Sequence, residues 1–271
     1  MNFVADNADV RIPVERGIGL DLLDREADIA PLMRLFHTAG CRGAFVDIGA
    51  NIGIVMLSLM KIDRTVPYIG FEPSARAAAY IQRLIEANGL ASTHSIYPVA
   101  LADECGASML MTNGAHDVSA TIDIQLRPST MYRERIAVCV STGDLLLRDC
   151  GPIDVIKIDV EGSEVRVLGG LGQTIKRHRP ALVMEIMPYR QLEEGSYAKG
   201  YFGDLTEQQR HQLVDSRRRH MDEIAAFVSG IDYELFQMRE GALCAARPSD
   251  SAPANQDFVA LPREGRGRFA A

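Results

Sequence analysis

The residues of this 271-residue chain that are best suited to chemistry are carboxylates that end or follow apolar, strand-like stretches. They are Asp47, Glu72, Asp103, Asp159, Glu161 and Glu185. In an open parallel sheet the carboxyl ends of the strands share one edge, and ligands bind outside that edge. Carboxylates accept hydrogen bonds from hydroxyl groups and can serve as general bases. The sequence therefore predicts a site for a hydroxyl-bearing ligand at this edge of a sheet.

A glycine turn lies among these acids. Residues 45–48 have the pattern of a buried strand, Gly49-Ala-Asn-Ile-Gly53 that of a turn, and the apolar stretch that follows that of a helix. Gly49 and Gly53 allow a tight turn and the close approach of a ligand. Asn51 stands where a pyrophosphate-binding turn has its second glycine, which favours a cofactor without phosphate. S-adenosylmethionine is such a cofactor, and Asp47 together with the turn backbone could hold its amino-acid part.

Glu72 follows Gly53 by 19 residues, at the distance where a carboxylate can accept hydrogen bonds from both ribose hydroxyls of an adenosine. This feature does not separate S-adenosylmethionine from NAD. An NAD-dependent oxidoreductase is therefore an alternative, although the missing middle glycine argues against it. A non-catalytic binding module on the same fold is a further alternative, against which the intact turn argues.

These side chains must be positioned by alternating strands and helices, which predict an α/β fold with a doubly wound parallel sheet and helices on both faces. The predicted core strands lie within residues 45–48, 66–72, 95–101, 153–160, 180–187, 233–237 and 257–262. The predicted organisation is an N-terminal extension or lid at 1–43, one α/β domain at 44–262, a β-rich elaboration at 106–140, a helical insertion at 188–228 and a disordered tail at 263–271.

The composition limits the classes of molecule that the protein is expected to bind. A net charge of −7 disfavours nucleic acid and anionic lipid and favours a small-molecule substrate. No apolar stretch approaches the ~20 residues of a membrane span, and the N-terminus lacks the pattern of a secretory signal. Five scattered cysteines without a Cys-x-x-Cys pair indicate reduced core thiols in a cytoplasmic protein. The oligomeric state is left open.

Five blocks occur in order between residues 44 and 187: Val-Asp-Ile-Gly-Ala-Asn-Ile-Gly, Gly-Phe-Glu-Pro, Val-Ala-Leu-Ala-Asp, Ile-Lys-Ile-Asp-Val-Glu-Gly-Ser-Glu and Arg-Pro-Ala-Leu-Val-Met-Glu. In this succession the chain closely resembles the FkbM-type S-adenosylmethionine-dependent methyltransferases. The resemblance implies a class I methyltransferase fold, with a seven-stranded sheet whose last strand is antiparallel. It also implies methylation of a hydroxyl on a sugar or on a natural product, and hence a place in natural product biosynthesis.

The resemblance assigns roles residue by residue. The residues that match the family's cofactor turn are Asp47, Gly49, Asn51 and Gly53. Glu72 matches the ribose-binding acid, and Asp103 stands where such enzymes often contact the adenine edge, with an ordinary turn aspartate as the alternative. The residues that match the family's most distinctive block are Lys157, Asp159 and Glu161.

Acceptor chemistry is expected at the end of the fourth core strand. Amide and amine methyltransferases commonly carry Asn-Pro-Pro-Tyr there, whereas this chain has Asp159-Val-Glu161, which favours a hydroxyl acceptor. Asp159 is the first choice of general base, and Glu161 is expected to line the acceptor pocket. The alternatives are that Glu161 is a first-turn helix acid, that Lys157 pairs with a neighbouring acid, and that Asp159 and Glu185 hold a divalent metal ion.

Two basic features are left without a firm role. His116 is the histidine that could reach the acceptor, since it lies in the β-rich segment. The run Arg217-Arg-Arg-His220 is interpreted as a solvated helix face, with a clamp for an acidic substrate as the alternative.

Overall fold

The structure is a computed structural model that describes residues 2–5, 10–15, 18–19, 22, 27–114, 117, 119–193, 205–239, 242–247 and 256–264. Its strands are β1 (Asn2–Ala5), β2 (Val10–Pro13), β3 (Ala44–Ile48), β4 (Tyr68–Phe71), β5 (His94–Tyr97), β6 (Ala100–Leu101), β7 (Gly106–Thr112), β8 (Glu134–Ser141), β9 (Ile153–Ile158), β10 (Ala181–Ile186), β11 (Tyr233–Arg239), β12 (Ala242–Ala245) and β13 (Gln256–Pro262). Its helices are α1 (Ala30–Thr38), α2 (Ile54–Ile62), α3 (Ala75–Ala87), α4 (Gly143–Leu146), α5 (Glu164–Gly169), α6 (Gly172–His178), α7 (Arg190–Glu193) and α8 (Glu207–Gly230).

The main sheet has eight strands in the order β12-β11-β13-β10-β9-β3-β4-β5. Strands β5, β4, β3, β9 and β10 are parallel, and β13 is antiparallel to both β10 and β11. This is the strand order of a class I methyltransferase, and its last strand is antiparallel as predicted. The predicted count of seven strands is wrong, because the short β12 pairs with β11 and adds an eighth strand at the edge.

Successive side chains of the core strands pack on opposite faces of the sheet and form two hydrophobic layers, one on each face. On β10, Val183 packs with the cluster of α1, α2 and α3, whereas Leu182 and Met184 pack with the cluster of α5, α6 and α8. Burial on both faces explains why the parallel strands are nearly continuous in apolar residues. The sheet is therefore doubly wound, as the alternation of strands and helices predicted.

The predicted third core strand is interrupted. Residues 94–97 form β5 in the main sheet, but the chain leaves that sheet at Pro98, and β6 pairs with β8 in a separate three-stranded sheet. Proline has no backbone N–H to donate to a ladder, which accounts for the break. In the second sheet β8 also pairs with β7, antiparallel over residues 106–112, and together with the 119–133 loop it covers one side of the main sheet's carboxyl edge.

Helix α8, which includes much of the predicted helical insertion, also packs in the core. It begins at a capping box formed by Thr206 and Gln209, and its C-terminal half buries Met221, Ile224 and Val228 in the core layer of α5 and α6. Its N-terminal half forms a small separate cluster with α7, through Leu192, Leu213 and Val214. The helix thus connects the core to the region beyond the strand ends.

Several expectations concern the ends of the chain and its cysteines. In the 1–43 segment Val10, Ile12 and Leu22 are buried in the core layer of α1 to α3, while His116 and residues 265–271 lie outside the described residues. All five cysteines are free, but only Cys41 is buried, so the prediction of core thiols is wrong for the exposed Cys105 and Cys139. Among the helices that the structure describes, none is long and apolar enough to cross a membrane.

Candidate active site

A cavity of about 780 Å³ opens at the carboxyl edge of the main sheet. Its walls include the turn after β3, the end of β4, the end of β9, the 120–122 segment, and one residue each of β10 and β13. Its size lies within the ~300–1,000 Å³ of small-molecule sites. The site residues from the sequence that line it are Gly49, Asn51, Glu72, Lys157, Asp159, Glu161 and Glu185.

The turn after β3 is built on glycine because two backbone segments meet there. Gly49 has φ +85°, and a Cβ at this position would lie 1.8 Å from the carbonyl oxygen of Asp159. Gly53 has φ +86° and is the N-cap of α2, while Asn51, which lies between the two glycines, has φ +48°. A side chain at Gly49 would therefore force the turn after β3 and the end of β9 apart, and glycine allows their close approach.

Glu72 is held by the same turn. One carboxylate oxygen accepts a hydrogen bond from the Asn51 N–H at 2.9 Å, and the other accepts one from the Ser74 N–H at 2.8 Å. Burial raises the pKa of Glu72 to about 7, against the effect of these two hydrogen bonds. A carboxylate has about four acceptor positions, so the two that remain can receive hydroxyl groups from the cavity.

Asp47 lies below the cavity rather than in its wall. It is fully buried, accepts a hydrogen bond of 2.7 Å from the Tyr68 hydroxyl, and lies 3.8 Å from the Lys157 ammonium. Burial raises the pKa of Asp47, while Lys157 and the hydrogen bond from Tyr68 oppose that shift. A direct contact between Asp47 and a cofactor stays a prediction; the side chains that Asp47 meets in the structure are Tyr68 and Lys157.

Lys157 links the buried acid to the cavity. Its ammonium donates a hydrogen bond of 2.8 Å to Asp159. Burial on its own would lower the pKa of Lys157, but the carboxylates of Asp159 and Asp47 raise that pKa above its ordinary value. The lysine is therefore a cation between two carboxylates, as the pairing alternative expected, and it fixes Asp159 at the cavity wall.

Glu161 follows Asp159 at the wall, in a left-handed conformation with φ +57°. It pairs with Arg127, a side chain that is only 4% exposed. Burial raises the pKa of Glu161 to about 8, against the effect of the Arg127 guanidinium. The alternative that Glu161 is a first-turn helix acid does not fit, because α5 begins later and its first-turn acid is Glu164.

Asp103 is not brought to the cavity wall that the structure describes. Its side chain is 52% exposed and forms an ion pair with Arg166, which also pairs with the neighbouring Glu104. The geometry agrees with the alternative of a turn aspartate at the surface. The adenine contact that the resemblance implied for Asp103 has no support from this placement.

The charged residues that the sequence reasoning missed at the site include Asp28, Asp117, Asp257 and Arg127. Asp257 on β13 lines the cavity next to Glu185, its paired residue on the neighbouring strand β10. Burial raises the pKa of Asp257 to about 6. Because β13 is antiparallel, its first residues lie at the same edge as the last residues of the parallel strands, so the predicted antiparallel strand was the signal for Asp257. Arg127 lies in an irregular loop that gives no comparable signal.

The match between this chain and a protein-family sequence model identifies the family. The model described as "Methyltransferase FkbM domain" matches residues 47–233, which is more than half of the chain. This chain belongs to the FkbM methyltransferase family. No curated protein matches its sequence.

Solved structures similar to this FkbM-family chain are distant in sequence. Methyltransferase FkbM from Methylobacillus flagellatus KT is 16% identical with a TM-score of 0.44, and the match covers 89% of this chain and 57% of that one. An O-methyltransferase from Bacillus cereus, in complex with SAH, is 13% identical with a TM-score of 0.47, over 89% and 83% of the chains. TomG from Streptomyces achromogenes, an O-methyltransferase involved in tomaymycin synthesis and in complex with SAM, is 13% identical with a TM-score of 0.44, over 89% and 82%.

The raised pKa of Glu72 should make the free FkbM-family chain less stable as the pH rises. Its folded-state pKa of about 7 exceeds the ordinary glutamate pKa of 4.5, so the folded state binds more protons than the unfolded state and loses stability as the pH rises between those two values. The Glu72→Gln variant cannot ionise and should lose less stability over that range, by up to about 3 kcal/mol. Urea unfolding of both proteins at pH 5 and pH 8 measures the difference; equal pH dependence would contradict the shift.

Proposed function

We propose that this chain transfers a methyl group from S-adenosylmethionine to a hydroxyl of a small molecule. Family membership supports methyl transfer, and the observation that carries the cofactor is the glycine turn whose backbone holds Glu72 at the cavity wall. S-adenosylmethionine supplies an activated methyl group when it is bound. The residues of this chain then have to hold it, orient the hydroxyl, receive the proton and exclude water.

The residues present fit this cofactor. Gly49 lets the turn after β3 pack directly against the backbone of Asp159, Asn51 lines the cavity beside it, and Glu72 offers acceptors for two ribose hydroxyls. The cavity wall also carries many more carboxyl groups than basic groups. Among the described residues that line it, the acids are Asp28, Glu72, Asp117, Asp159, Glu161, Glu185 and Asp257, and the base is Lys157.

This charge distribution separates the two cofactors left open by the sequence. S-adenosylmethionine carries a net positive charge, through its sulfonium and ammonium groups, and is attracted by such a wall. NAD would bring two phosphates into the same field and would meet an amide where a phosphate-binding turn has glycine. The excess of carboxyl groups in the wall therefore supports S-adenosylmethionine over NAD.

Hydroxyl methylation is the finer part of the proposal, and it rests on the carboxylates after β9. Asp159 has one oxygen on Lys157 and lies at the wall, 26% exposed, where it can take the proton of a hydroxyl as it attacks. Glu161 extends the same wall. A sugar or a hydroxylated natural product is the acceptor class that this arrangement and the family resemblance favour.

Cofactor binding is the first test. We expect calorimetric titration with S-adenosylmethionine to show saturable binding to the wild type, and Glu72→Gln to weaken that binding at least about tenfold, because charge-assisted hydrogen bonds to the ribose are lost. Asp103→Asn is the matched control, since that carboxylate pairs with Arg166 outside the cavity wall. Binding of NADH in place of S-adenosylmethionine, or an equal loss in the control, would overturn the assignment.

A further inference from the structure

Three segments meet at the side of the cavity that carries Glu161, and buried polar contacts fasten them together. They are the 126–127 turn, the 161–164 loop after β9, and α8. Arg127 pairs with Glu161, and the Leu126 side chain packs against Gly162, where an added Cβ would lie 3.2 Å from it. The turn and the loop thus touch through both a charged and an apolar contact.

Arg217 of α8 holds the 126–127 turn from behind. Its Nε donates to the carbonyl oxygen of Leu126 at 3.1 Å, and its Nη1 donates to the carbonyl oxygen of Pro188 at 2.8 Å. The side chain is 4% exposed. A planar guanidinium that spans two carbonyls fixes their separation, so Arg217 ties the turn that carries Arg127 to the end of β10.

His220 holds the loop after β9 from the same helix. Its Nε2 lies 2.6 Å from a carboxylate oxygen of Glu164, whose other oxygen accepts a hydrogen bond from the Gly162 N–H at 3.0 Å. Arg217 and His220 are three residues apart and therefore lie on one face of α8. The expectation of a solvated helix face is wrong for these two residues and fits the exposed Arg218 and Arg219.

We propose that Arg217 is a positioning residue of the active site: it places Arg127 against Glu161 and so fixes the charge and orientation of the carboxylate that faces the acceptor. The acceptor next to this carboxylate is part of the proposed function. The contacts that lead from α8 through the 126–127 turn to Glu161 are independent of that function. Arg217 reaches Glu161 through its hydrogen bonds to Leu126 and Pro188, which hold the turn that carries Arg127.

The test follows Glu161 directly. In the full-length protein with ¹³C-labelled glutamate carboxyls, Glu161→Gln assigns the Glu161 resonance, and its titration gives the pKa. We expect Arg127→Met to move the midpoint upward by about one pH unit or more, because an opposite charge is removed. Arg217→Met should move it in the same direction, while Arg218→Met, a change to the exposed neighbour that pairs with Glu193, should leave it unchanged.

The outcomes separate positioning from a merely structural role. A wild-type midpoint for Glu161 in Arg217→Met, even together with lower thermal stability, would overturn the proposal. If Arg217→Met does not fold, Arg217→Lys is titrated instead: it keeps the charge but cannot span both carbonyls as a planar fork, so an upward shift is again expected and its absence overturns the proposal. S-adenosylmethionine titration of the same variants is scored separately, so failure of the proposed function shows as lost binding in the wild type.

Discussion

Replacing Asp159 with asparagine should reduce methyl transfer by about 10²–10⁴-fold, the contribution of a positioned general base. The change preserves shape but removes the negative charge that receives the proton and pairs with Lys157 at 2.8 Å. The glycine turn and Glu72 are left intact, so the affinity for S-adenosylmethionine should change little. Transfer of a labelled methyl group to an accepted hydroxyl compound, with calorimetry on the same protein, measures both quantities.

The control for this variant is Asp149→Asn, which removes a carboxylate that is 86% exposed. Near-wild-type turnover by Asp159→Asn would rule out Asp159 as the base.

The metal alternative is tested separately, because Asp159 and Glu185 both line the cavity. No group of three or more metal-binding side chains occurs within the part of the chain that the structure describes. Loss of turnover on exhaustive chelation, with recovery on adding Mg²⁺, would favour a metal-assisted reaction over a simple base.

Replacing Gly49 with alanine should abolish cofactor binding and lower the free energy of unfolding by about 2–5 kcal/mol. Part of this is the cost of a left-handed conformation for a residue with a Cβ, about 1–2 kcal/mol. The larger part is steric, since the new methyl group would lie 1.8 Å from the Asp159 carbonyl oxygen and must displace the end of β9. Urea unfolding and S-adenosylmethionine titration measure the two effects.

Gly40 provides the matched control. Its φ of +82° is close to that of Gly49, but an added Cβ would have nothing within 4 Å. Gly40→Ala should therefore show the conformational cost alone and keep full cofactor binding. An equal loss of stability in the two variants would show that the close approach of β3 and β9 is not what requires glycine at Gly49.

The part of the cavity wall around the glycine turn was predictable because its determinants are local in sequence. The turn from Gly49 to Gly53 and the acid at Glu72 follow directly from strand ends, and the strand-end rule also brought Asp159 and Glu161 to the same wall. Asp103 fails the same rule because Pro98 diverts the chain from the main sheet before that residue. A strand-end argument holds only while the strand stays in its sheet.

The contacts of Glu161 at the cavity wall were less predictable because they join residues that are remote in sequence. Arg127 meets Glu161 across 34 residues, and Arg217 meets Leu126 across 91. No periodicity marks Arg127, which lies in a loop. The three-residue spacing of Arg217 and His220 on α8 was a usable signal for a shared buried face, but the four consecutive basic and histidine residues hid it.

The fastening of the 126–127 turn to α8 has a consequence for redesign of the enzyme. The 119–133 loop and the N-terminal half of α8 lie outside the main core layers, so each looks like a segment that could be replaced separately by that of a relative. The hydrogen bonds from Arg217 to Leu126 and Pro188 make them one part instead of two. A chimera that takes its 119–133 loop from a relative must take the facing turns of α8 with it. If the proposed function holds, grafts of the loop alone should yield proteins that bind S-adenosylmethionine but no longer methylate the acceptor.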